Sequence, residues 1–148
     1  MKTRKQTGFT MLEVLVTMVI VSFGLLGIAG IIGNGLKNNQ SSYSRSQASW
    51  LANDIADRMR ANYIVAESAA LPYNLTLAAS TPAAASPVTI VNSDIIAWRT
   101  AIANVLLSGT GSIYLDETTK KLTVVVQWDD SRTKGGSNAE KFTIETLL

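Results

Sequence analysis

A chain of 148 residues holds one modest domain plus an extension. It contains no cysteine and no histidine, which removes disulfides, thiolate and imidazole metal sites, and every Ser-His or Cys-His catalytic pair. The formal charge of +2 rests on Lys2, Arg4 and Lys5; the thirteen basic residues less these three leave ten against eleven acidic, and that balance gives no electrostatic ground for a nucleic-acid partner.

The chain opens with that basic patch, reaches Gly8 and Phe9, and becomes apolar. From Val14 to Leu36 no residue is charged, and a helix needs about 20 such residues to cross the hydrocarbon core. Basic residues in front and only Lys37 close behind predict a single span with its N-terminus in the cytoplasm. A secretory signal carries its small-residue cleavage site after the apolar region; here the small residue, Gly8, precedes it. Glu13 stands in this apolar setting, where an unpaired carboxylate costs roughly 2.5–3.5 kcal/mol.

The stretch "GFTMLEVLV", Gly8 to Val16, resembles the recognition sequence of type IV prepilins. The resemblance implies that a prepilin peptidase removes residues 1–8 as a cytoplasmic leader by cutting between Gly8 and Phe9, and that Phe9 is N-methylated. It also supplies a role for Glu13: the new amine would lie four residues earlier, on the same face of a helix running from Phe9. In such filaments the glutamate meets the Phe9 amine of a neighbouring subunit during assembly; the plainer alternatives are a carboxylate that snorkels to the headgroups or stays protonated. Gly24, Gly27, Gly30, Gly33 and Gly35 suit either close helix packing or the general glycine enrichment of membrane helices.

Beyond residue 36 a polar segment, 37–67, keeps an apolar stripe at Ala48, Leu51, Ile55, Met59 and Tyr63. The spacing predicts an amphipathic half of the same helix, continuous to about Glu67 and ended by "LPYNL". "GLLGIAGIIGNGLKNNQSSYSRSQASWLANDIADRMRAN" is similar to the helix of PilV-type minor pilins. Arg45, Asp54, Asp57, Arg58 and Arg60 are then candidate contacts to neighbouring subunits, or solvated charges with Asp54 and Arg58 paired one turn apart.

Residues 68–91 are rich in Ala, Ser, Thr and Pro, which predicts a surface loop with little core of its own. Asn74-Leu75-Thr76 fits a common glycosylation pattern. Residues 92–148 predict a short helix capped by Asn92 or Ser93, with Ile95, Ile96, Trp98, Ile102, Val105 and Leu106 on its apolar face. Three strands follow, "SIYLD", "KLTVVVQWD" and "KFTIETLL", as an antiparallel meander with Leu122, Val124, Val126 and Trp128 turned to the first helix. The strand "VVVQWDD" also resembles the PilV-type domain. The fold class is α+β, a pilin-type arrangement in which residues 37–148 form one globular domain.

Little chemistry is on offer. Asp116, Glu117, Asp129 and Asp130 with Asn138 supply oxygens for calcium in principle, but turn roles explain them more simply. Lys120, Lys121, Arg132 and Lys134 form a small basic cluster without an interleaved aromatic platform for DNA. No nucleophile–base set can be assembled, so no enzyme and no cofactor is expected. The resemblance implies a minor pilin that initiates and enters type IV pili, with prepilin peptidase, other minor pilins, the major pilin and the inner-membrane assembly platform as partners. It places the chain in the bacterial inner membrane, outer domain periplasmic, and then in the pilus. A type II secretion pseudopilin shares this logic, and a tip-located adhesin or DNA-binding module is the reading from another class.

Overall fold

The computed structural model describes residues 8–78, 89–133 and 135–148. The leader up to Thr7, the "ASTPAAASPV" stretch from residue 79 to 88, and Lys134 lie outside the described residues. The chain divides into two compact units, Met1–Leu36 and Lys37–Leu148.

The first unit holds the opening of α1 (Met11–Ala61). All its described side chains are exposed, so nothing among the described residues covers Leu12, Leu15, Met18, Ile20, Phe23 or Leu26. The helix starts two residues later than a run from Phe9. Thr10 stands before the first turn, and its Oγ1 accepts from the Glu13 N–H (3.3 Å), satisfying a donor that the helix cannot. Thr-x-x-Glu at 10–13 is the capping-box pattern, a local signal for the later start. Farther along, the Thr17 hydroxyl donates to the Glu13 and Val14 carbonyls and that of Ser22 to Met18. These polar groups are therefore satisfied inside the helix, as an apolar medium demands.

The second unit has one hydrophobic core. From α1 it takes Ala48, Leu51, Ala52, Ile55, Ala56 and Met59, a stripe at three- and four-residue spacing whose alanines let the helix approach the sheet closely. The predicted continuation to Glu67 is interrupted. Asn62 leaves helical geometry (φ −113, ψ 37), and a four-residue α2 (Tyr63–Ala66) follows. The break turns Tyr63 out of the stripe to 46% exposure, and Ala66 enters the core instead.

Helix α3 spans Ile90–Val105, earlier than a cap at Asn92 or Ser93 would place it. Thr89, in extended backbone, accepts from the Asn92 N–H (3.2 Å), the N-cap to N3 bond that such residues favour. Val91, Ile95, Trp98, Ile102 and Leu106 pack inward, Ile96 is half-buried and Val105 is exposed. Strands β1 (Thr110–Leu115), β2 (Lys121–Trp128) and β3 (Glu140–Leu147) form an antiparallel meander in the order β1-β2-β3. Leu122, Val124, Val126 and Trp128 are buried while Lys121, Thr123, Val125 and Gln127 are not, the period-two alternation of a sheet with one covered face. Gly111 is required where β1 passes the Trp98 ring: a Cβ there would lie 2.4 Å from Cη2.

The segment after α2 contributes more than a surface loop would. Tyr73 is buried at 1% exposure, and Leu75 forms an antiparallel bridge with Ile113.

Candidate functional site

Gly8, Phe9 and Thr10 lie ahead of α1, exposed and outside regular structure. A peptidase needs accessible backbone outside regular structure at the bond it cuts, and residues 8–10 are of that kind. Phe9 lies two residues ahead of α1 in the full chain. Glu13 occupies the first turn of α1, where the helix dipole favours a carboxylate.

The other candidate residues are turned toward the second unit itself. Arg45 pairs with Glu140 at the start of β3, and Arg60 bonds both Asp57 (2.8 Å) and Thr146 Oγ1 (2.9 Å) near the end of that strand. Arg58 donates through Nε to Asp54 (3.0 Å) and through Nη1 to Asp94 (3.4 Å). Asp94 in turn accepts from the Tyr73 hydroxyl (2.7 Å), which itself accepts from Asn62 Nδ2 (3.1 Å). Partial burial opposes the Arg58 charge, but Asp54 and Asp94 outweigh it and hold the guanidinium more firmly protonated. Burial, reinforced by Asp94, pushes the Tyr73 phenol up to about 12. Thus α1, α3 and the Tyr73 segment are joined by one polar network.

Two contributors were missed in the sequence. Arg99 is 7% exposed and donates Nη2 to the carbonyls of Thr76 and Gly111 (both 2.7 Å); burial lowers its hold on the proton. Its place on the stripe with Ile95, Ile102 and Leu106 was the available signal. Asn74 accepts from the Leu115 N–H (2.7 Å) and donates to the Leu115 carbonyl (3.3 Å), so its amide serves as a peptide group would.

The acidic residues act as turn formers. Asp116 Oδ1 accepts from the N–H groups of Thr118 and Thr119 and the Thr119 hydroxyl, which holds its carboxyl below the usual range. Asp129, held low by hydrogen bonding from Ser131 and then by Arg132, caps the next turn. Asp130, 5% exposed, accepts from Ser41 (2.7 Å) and Thr133 (2.9 Å). Among the described residues no group of three or more Asp, Glu, His or Cys could hold a metal ion. Lys121 pairs with Glu145 (2.6 Å) and Lys120 lies 4.0 Å from Glu67, so two cations of the basic cluster already face carboxylates.

A long N-terminal helix, apolar and exposed at first and then packed on a three-stranded antiparallel sheet, defines the pilin α+β fold. Residues 3–29 match the prokaryotic N-terminal methylation motif, which supports a type IV pilin-like protein. The motif implies processing by prepilin peptidase and association with membrane and pilus, and it points to a structural protein rather than an enzyme. No curated protein and no solved structure matches the chain.

Proposed function

We propose that this protein is a minor pilin of the PilV type. It is anchored by a single span in the bacterial inner membrane, N-terminus cytoplasmic and second unit periplasmic. Prepilin peptidase cuts it between Gly8 and Phe9, Phe9 is N-methylated, and the assembly platform passes it into a type IV pilus that it helps to initiate with other minor pilins and the major pilin.

One observation carries this reading: a lone carboxylate, Glu13, stands within the matched motif just ahead of an uncharged stretch whose side chains are all exposed. In lipid or in a filament core that carboxylate needs a positive partner, and cutting after Gly8 creates an amine nearby, on the same chain or on an adjoining one. Mass spectrometry of the chain from a membrane fraction should find an N-methylated Phe9 start; an intact Met1 start would overturn the proposal. Glu13→Ala should leave cleavage intact and deplete the protein from sheared pili. Loss of exoprotein export with normal pili in a deletion strain would instead assign the chain to type II secretion.

A further inference from the structure

The two edges of the sheet are finished differently. Leu148 donates its N–H to Lys120 (3.2 Å), so the even residues of β3 turn their backbone groups to β2 and the odd residues turn theirs outward. By the same alternation Gly111, Ile113 and Leu115 face outward on β1, and all are engaged. The Gly111 carbonyl accepts from Arg99, Ile113 exchanges both bonds with Leu75, and Leu115 exchanges both with the Asn74 amide. On β3, among the described residues, no hydrogen bond reaches the N–H groups of Lys141, Thr143, Glu145 or Leu147. An open edge of this length is a template for another strand.

The residues along that edge are self-complementary. Lys141, Thr143 and Glu145 are exposed on the outer face, and Phe142 and Ile144 are only half-buried on the inner one. Two antiparallel copies of β3 centred on Thr143 set Lys141 opposite Glu145 twice, and Phe142 opposite Ile144 twice. Odd residues then meet odd residues, so the outward N–H and C=O groups pair in register. Lys141 has no ion pair among the described residues, and Glu145, already near Lys121, would lie between two cations.

We propose that the open edge of β3 is a homotypic interface, at which a second copy of this chain adds antiparallel through Lys141–Glu145. The orientation of that copy follows. Within the second unit α1 runs in the same sense as β3, since Arg45 reaches Glu140 and Arg60 reaches Thr146. Antiparallel pairing therefore sets the two α1 helices in opposite senses. The isologous two-fold closes on itself. The inference is independent of whether the chain enters a pilus.

The test uses the full chain in detergent with Thr143→Cys as reporter, which is clean because the protein has no cysteine. Under mild oxidation Thr143→Cys chains should couple to each other. Adding Lys141→Glu, or adding Glu145→Lys, should abolish coupling in each variant alone, because like charges then face each other. Mixing the two variants should restore it, and that rescue separates charge pairing from misfolding. The proposal fails if Thr143→Cys does not couple, if either charge change leaves coupling undiminished, or if Thr143→Cys captures a different protein. It fails equally if Tyr114→Cys on β1 couples as well, which association through residues 14–36 alone would produce.

Discussion

The single helix α1 serves two media. Up to Gln40 all its described residues are exposed, and the first buried side chain is Ala48. Before that point the apolar groups have no partner among the described residues, so their burial calls for lipid or other helices. After it, a stripe of six residues meets a core of α3, the Tyr73 segment and the sheet. The lesson is that hydrophobicity alone does not define a core: the more apolar half of α1 is the half that buries nothing.

The largest effect that would test this division is Trp98→Ala. The ring is fully buried and its Nε1 donates to the Leu51 carbonyl (2.8 Å), so about 3–5 kcal/mol should be lost from the second unit. Denaturant unfolding followed by tryptophan fluorescence measures this, with helical dichroism of the apolar half unchanged. A matched pair of glycines comes next. Gly111→Ala should destabilise by about 1–3 kcal/mol through overpacking against Trp98. Gly27→Ala, with nothing within 4 Å of the added methyl, should stabilise the helix by up to about 1 kcal/mol. Equal signs for the two, read in thermal melts in detergent, would break the comparison.

Much of the fold was legible because its causes are local. The uncharged run, the alternation at Leu122, Val124, Val126 and Trp128, and the stripe at Ala48, Leu51, Ile55 and Met59 all report a medium through simple periodicity. The break at Asn62 was not legible, since no Pro or Gly marks it and its backbone answers to the network around Tyr73 and Asp94. Nor was the role of Asn74, which depends on a strand residue 41 positions away. Of the candidate contact residues, sequence spacing identified the Asp54–Arg58 pair, but the reach of Arg45 and Arg60 to β3 needed the tertiary fold.

The Tyr73 network sharpens the contrast further, because it makes the stability of the second unit depend on pH. The phenol's pKa is raised from 10 to about 12 in the folded chain, so the folded state holds this proton more tightly than the unfolded one. Its contribution is complete below pH 10 and is lost as pH climbs through about 12. Stability measured between these values should fall, and Tyr73→Phe should flatten that part of the profile. The smallest effect is expected at Arg45→Ala. That side chain is 59% exposed in its pair with Glu140, and the change should stay within about 1 kcal/mol in the same melts.

The finish of β1 has a consequence for assembly size. With Arg99 on the Gly111 carbonyl, Leu75 on both groups of Ile113 and the Asn74 amide on both groups of Leu115, a sheet built from this chain is open to extension on one margin and largely occupied on the other. Growth beyond a single joining event is disfavoured, so the same architecture that permits pairing works against an endless ribbon.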